Sequence, residues 1–128
     1  MKTETIRVTE DDIKTYLDIE KVPDELKDYV AVYEMREWSF GERERIIGNS
    51  SNQSVSDDGK IKSVLNSAIF RLAVMQTCVR RVSSLNASPT KAFLEAMPVW
   101  LGEALWEKVN ALNEKGMTKE ESKKFKFS

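Results

Sequence analysis

Residues 61–82 read IKSVLNSAIFRLAVMQTCVRRV, and this segment governs the architecture expected for the chain. Its apolar residues recur in steps of three and four, which is the spacing of one face of an α-helix. The pattern predicts a single helix over 61–82. Its core-facing stripe would consist of Ile61, Leu65, Ala68, Leu72, Met75, Val79 and Val82.

The same predicted helix carries a second, narrower apolar stripe. Phe70, Val74 and Cys78 follow at intervals of four residues on roughly the opposite side. A helix that is apolar on two faces is usually buried on both, either by its own chain or by another protein. Phe70 and Val74 are therefore candidate contacts for a protein partner.

Upstream, the segment 29–38 is short and rich in β-branched and aromatic residues, and this composition predicts a strand. Ser39 and Glu42 then have the spacing of a capping box, so we predict a helix over 40–47 that Gly48 ends. Before the strand, residues 1–28 are charged, and we predict a loosely packed N-terminal segment with one short helix over 10–18.

Two further segments lack an apolar period. Residues 49–60 are polar and include the turn dipeptide Asp58-Gly59, which predicts a flexible loop. Residues 117–128 are rich in Lys and Glu, which predicts a disordered tail.

The C-terminal third predicts two more helices. A short one covers 90–97, and Pro98 suits the first turn of a longer one that runs to about residue 113, with Gly116 just beyond its end. The core stripe of the longer helix is Leu101, Leu105, Val109 and Leu112. Trp100 lies off this stripe, and tryptophan is favoured at protein interfaces, so Trp100 is a third candidate partner contact.

Together these elements predict a mainly α fold, a small helical domain with a short N-terminal β element. A chain of 128 residues has the size of a single domain with one core. We therefore assign 1–128 to one domain.

Composition excludes several classes of function. The chain has no histidine and one cysteine, Cys78, which excludes catalytic sites and zinc sites built on histidine, and also an internal disulfide framework. The glycines are scattered and form no phosphate-binding motif. Asp57-Asp58-Gly59 is only a fragment of a calcium loop, and a plain turn explains it better. We expect no catalytic residue, no metal and no cofactor, and hence no enzyme.

Charge and hydropathy bear on partners and location. With 20 basic and 21 acidic residues the net charge is −1, which argues against nucleic acid as the main ligand. No apolar stretch is long enough to cross a bilayer, and the polar start does not resemble a signal peptide. The single cysteine fits a reducing compartment. We expect a cytoplasmic protein that does not bind membranes.

The order of motifs resembles the tail assembly chaperones of long-tailed bacteriophages over about residues 29–113. The short extended run leads into a helix start of similar type, a proline junction follows a leucine and a glutamate, and the last helix closes on leucine and asparagine. The residues concerned are Trp38-Ser39-Phe40-Gly41-Glu42, Leu94-Glu95-Ala96-Met97-Pro98 and Leu112-Asn113.

The resemblance implies a mainly helical protein without catalytic residues, in the cytoplasm of a bacterial host. Such proteins bind the long, helical tape measure protein before the tail tube polymerises around it, and self-association into a homo-oligomer is also implied. The family has a second, longer product, made by ribosomal frameshifting, that is thought to recruit the tail tube subunit. The alternative left open is a small nucleic-acid-binding or regulatory helical protein, with a helix-turn-helix around 39–82.

Overall fold

The structure, a computed structural model, describes residues 2–55 and 57–114. Strands and helices are interspersed along this part of the chain. In order they are β1 (Thr3–Arg7), α1 (Glu10–Leu17), a 3-10 helix (Asp24–Tyr29), β2 (Val32–Arg36), α2 (Phe40–Ser50), β3 (Ser51–Val55), β4 (Ile61–Leu65), α3 (Ser67–Cys78), β5 (Val79–Val82), α4 (Lys91–Glu95) and α5 (Val99–Glu114).

A three-stranded antiparallel sheet in the order β1-β2-β5 forms one layer of the core. Tyr33 on the central strand lies between Ile6 of β1 and Val82 of β5, and the register shifts between Glu34 and Met35. Side chains of successive strand residues point to opposite faces, and those on one face of this sheet are apolar. Helices α3 and α5 bury that face, and the buried residues form a single cluster.

The prediction of a mainly α fold is wrong, because the chain folds as a mixed α/β protein. The error starts at 61–82, where the structure has strand β4, helix α3 and strand β5 instead of one helix. Apolar residues three and four apart satisfy either assignment over a short run, and β-branched residues favour strands. Asn66 marks the true helix start, since its side-chain oxygen accepts a hydrogen bond from the Ile69 amide at 3.1 Å.

The predicted loop over 49–60 is wrong for residues 49–55, whereas the turn at Asp58-Gly59 lies where it was predicted. Helix α2 continues through Gly48 to Ser50, and β3 follows at once and pairs with β4 as an antiparallel hairpin. Gly59 lies in the turn with φ of 79°, a left-handed conformation that costs glycine little. The hairpin is the second sheet of the described part of the chain.

Several local predictions are confirmed. The Ser39–Glu42 capping box opens α2, and the short helix predicted over 10–18 is α1, which the structure shows opening on a capping box at Thr9. The stripe of α5 is buried as predicted, with exposures of 5% or less at Leu101, Leu105, Val109 and Leu112. Gly116 and the predicted tail at 117–128 lie outside the described residues.

The N-terminal part of the chain contributes directly to the core. Val8, Ile13 and Val22 are at most 4% exposed. Within the described ranges, no helix is both long and apolar enough to span a bilayer.

Candidate partner-binding surfaces

The three predicted contact residues lie in different surroundings. Val74 is 1% exposed and belongs to the core, where α3 packs against the rest of the protein. Cys78, on the same stripe, is fully buried. The second stripe of this helix is therefore covered largely by the chain itself, and a partner cannot reach Val74 in this fold.

Phe70 is half-buried at the centre of an aromatic cluster. Its ring lies edge-on to Trp38 at 6.1 Å and to Trp106 at 6.2 Å between centroids. Edge-to-face pairs of this kind stabilise by about 0.5–1.5 kcal/mol each beyond the area they bury. Phe70 thus fixes the position of Trp106, which faces a groove on the other side.

Trp100 stacks on Tyr16 with 4.5 Å between ring centroids and 17° between planes. Tyr16 is 64% exposed, so the pair lies at the surface between α1 and α5. The indole Nε1–H of Trp100 is buried and finds no acceptor among the described residues. An unsatisfied buried donor lowers stability, and a fold tolerates this loss where the surrounding packing compensates for it.

A mainly apolar groove of about 280 Å³ lies between α3, α4 and the first half of α5. We call it the α3–α5 groove. It lies close to the lower end of the ~300–1,000 Å³ range of small-molecule pockets, so its size suits one or two side chains. The apolar residues that define it include Ala68, Leu72, Met97, Val99 and Trp106.

The rim of the α3–α5 groove carries one ion pair. Arg71 and Glu103 meet across it at 2.8 Å, and the Arg71 guanidinium lies 4.9 Å above the Trp106 ring. Both side chains are partly exposed, so the pair is positioned to meet polar groups of a bound molecule. At the other side Val99 is 78% exposed, which extends the apolar surface outward.

Sequence reasoning missed this groove because it assigned Ala68 and Leu72 to the core. The stripe predicted over 61–82 is divided in the structure. Val79 and Val82 lie in the core, Ala68 and Leu72 line the groove, and Met75, which is 6% exposed, contributes to both.

The second apolar surface is the β3–β4 hairpin. On one face Val55 is 74% exposed, Ile61 69% and Leu65 44%, and on the other face Val64 is 54% exposed. Single exposed apolar residues are ordinary, but a cluster on one small element indicates an interaction surface. A usable signal existed in the sequence, since an Asp-Gly dipeptide with apolar residues on both sides is typical of a hairpin.

The best-developed electrostatic contact is structural. Arg36 holds Glu42 in a two-pronged pair, with Nη1 to Oε1 at 2.8 Å and Nη2 to Oε2 at 2.7 Å. The hydrogen bond from Arg36 lowers the pKa of Glu42 to about 2, with help from the Ser39 backbone and side chain. This pair joins β2 to the start of α2 and keeps the capping box in place.

Cys78 shows the opposite effect. Burial raises the pKa of its thiol above the ordinary value, and Asn113 Nδ2 lies 3.8 Å from the sulfur. A thiol with a raised pKa in a closed environment reacts slowly. The structure therefore places Cys78 as a packing residue.

At the Asp57-Asp58-Gly59 turn, the Asp58 Oδ1 atom accepts a hydrogen bond from the Lys60 amide at 3.2 Å. This is the geometry of a side chain that stabilises a turn. Across residues 2–55 and 57–114, no three Asp, Glu, Cys or His side chains are grouped for a metal ion.

Comparison with protein-family models, curated proteins and solved structures finds no match to this chain. The resemblance to tail assembly chaperones thus rests on the short motifs themselves. Two of them have clear local roles here, since Ser39 and Glu42 form a capping box and Pro98 precedes the first turn of α5.

Proposed function

We propose that this protein is a non-enzymatic assembly chaperone of a long-tailed bacteriophage, which binds the tape measure protein, self-associates, or does both during tail assembly. The observation that supports it best is the open α3–α5 groove, an apolar concavity on the helical side of the protein. The proposed setting is the cytoplasm of a bacterial host.

The groove suits a helical partner. An amphipathic helix places apolar residues at i, i+3 and i+4, and such anchors dock into grooves between helices. Met97 on the floor can adapt to different side chains because methionine is flexible and polarisable. The Arg71–Glu103 pair at the rim can meet the polar face of the same helix.

The alternative, a helix-turn-helix that binds nucleic acid, has less support. Such motifs join their two helices by a tight turn of a few residues. Here the β3–β4 hairpin separates α2 from α3. A mobility shift on DNA at low salt that weakens steeply as salt rises would revive this alternative.

The direct test is co-expression with a candidate tape measure protein, followed by size-exclusion chromatography. We expect the partner to become more soluble and to elute in a complex with this protein. A groove variant, Gly102→Leu, should abolish the complex. The added side chain occupies the groove, whereas the nearest atom to a Cβ at this position, Met97 Sδ at 3.9 Å, leaves room for the fold.

Gly48→Leu is the matched control. Gly48 is also a helical glycine, and a Cβ at this position would have no neighbouring atom within 4 Å. Both substitutions raise helix propensity by a similar amount, up to about 1 kcal/mol. The groove is not the binding site if the two variants bind the partner equally well. The same conclusion follows if neither variant improves the partner's solubility.

A further inference from the structure

The β3–β4 hairpin has an apolar face that nothing in the described part of its own chain covers. In the hairpin register Val55 pairs with Ile61 and Ser51 pairs with Leu65, so these residues share one face. Among the described strands, β3 and β4 pair only with each other. Two strands alone are marginally stable in water, and further strands are usually needed.

The outer edge of β4 pairs with no other described strand, and the backbone groups that point toward it can be identified. The Asn66 amide donates to the Ser50 carbonyl at 2.7 Å, so this pair is hydrogen-bonded. Hydrogen-bonded and non-hydrogen-bonded pairs alternate along an antiparallel ladder. The backbone groups of Ile61, Ser63 and Leu65 therefore point away from β3, toward the outer edge.

That edge is complementary to itself. If a second β4 lies antiparallel about a two-fold axis at Ser63, the outward groups of Ser63 bond to their own copies. Ile61 of each chain then bonds to Leu65 of the other, so every outward amide and carbonyl of β4 has a partner. The two exposed apolar residues also become cross-strand neighbours.

We propose that two copies of this chain associate through their β4 edges, with the two-fold axis at Ser63 and Ile61 packed against Leu65 of the second copy. The β4 edge is then the surface for the self-association in the proposed function, and the proposal rests on that part of it. An isologous contact of this kind closes on itself, so the product is a dimer and not a fibre.

The edge of β3 fits a second copy less well. Antiparallel pairing about Gln53 would place Ser51 opposite Val55 and bring no two apolar residues together. On β4, by contrast, the register also places Lys62 opposite Val64 and not opposite another lysine. The pattern of apolar and charged positions therefore selects β4 and selects a copy of the same strand.

The test is light scattering on the full chain over a concentration series. We expect a concentration-dependent dimer. Ser63→Pro removes an amide that points outward and leaves the bonds within the hairpin intact, so it should raise the dimer dissociation constant at least about tenfold. Gln53→Pro is the matched control, because Gln53 is the cross-strand partner of Ser63 on the other edge.

A second pair of variants serves if either proline variant fails to fold by circular dichroism. Ile61→Lys should abolish the dimer. Val55 is the cross-strand partner of Ile61 and is similarly exposed, and Val55→Lys should leave the dimer intact. A strict monomer at all concentrations overturns the inference, and so does equal behaviour of the two variants in the lysine pair. Tape measure binding uses a different surface, so its success or failure with Gly102→Leu is read separately.

Discussion

The body of the protein contains the three-stranded β1-β2-β5 sheet, and this sheet and the β3–β4 hairpin are both antiparallel but are stabilised differently. In the body, Tyr33 and Val79 are fully buried, and the sheet packs against α3 and α5. In the hairpin, the paired residues Val55 and Ile61 are about 70% exposed. Hydrophobic burial therefore stabilises the body alone, and the hairpin depends on its own backbone pairing until something covers it.

The largest expected effect comes from comparing the same substitution, leucine to alanine, in the two regions. Leu105→Ala should lower the free energy of unfolding by about 2–5 kcal/mol, because Leu105 is fully buried and a cavity would remain. Leu65→Ala in the hairpin should cost less than about 1 kcal/mol, since this side chain is 44% exposed. Urea unfolding at low protein concentration measures both. Equal losses would mean that the hairpin is part of the core.

The next effect depends on pH and belongs to the body. Glu42 has a lower pKa folded, about 2, than the ordinary glutamate value of about 4.3 expected in the unfolded chain. The unfolded state therefore binds the proton more readily, and Glu42 stabilises the fold above about pH 4. This contribution falls as pH drops toward 2.

Glu42→Gln should accordingly cost about 1–3 kcal/mol at pH 7 and little near pH 2. Unfolding by urea at a series of pH values gives the difference between variant and native chain. Gln can still form the capping box but cannot form the charged pair with Arg36. A loss that stays constant with pH would show that packing at this position, and not charge, is responsible.

The smallest effect lies in the hairpin turn. Gly59→Ala forces a side chain into a left-handed conformation at φ 79°, at a local cost of about 1–2 kcal/mol. We expect faster hydrogen exchange at the β4 amides but a change below about 0.5 kcal/mol in global unfolding, because the hairpin opens independently. Native-state exchange compares β4 with β2. If the global free energy of unfolding falls by the whole local cost, the hairpin and the body unfold as one cooperative unit.

Local signals in the sequence were sufficient for elements that packing and capping determine alone. The Ser39 and Glu42 spacing located the start of α2, and the four-residue steps from Leu101 to Leu112 located the buried face of α5. The stripes did not determine the surroundings of Phe70 and Trp100, which contact aromatic rings of the same chain, Trp38 and Trp106 for Phe70 and Tyr16 for Trp100.

The sequence misled where one pattern fits two structures. The apolar residues of 61–82 satisfy a helix period over the whole segment, but the ends form strands because β2 and β3 lie beside them. Tertiary pairing of this kind is invisible in a single segment. The α3–α5 groove was missed for a related reason, since three helices that are separate in sequence form it.

The pairing of β2 with β5 affects how the chain folds. Met35 pairs with Val79 across the whole of α2, the hairpin and α3, so the central sheet closes only after that long segment is folded back. Contacts between residues distant in sequence slow folding, and closing a long loop grows more costly only slowly with its length. We expect this closure to limit the rate of folding, and we expect the length of the inserted hairpin to change that rate little.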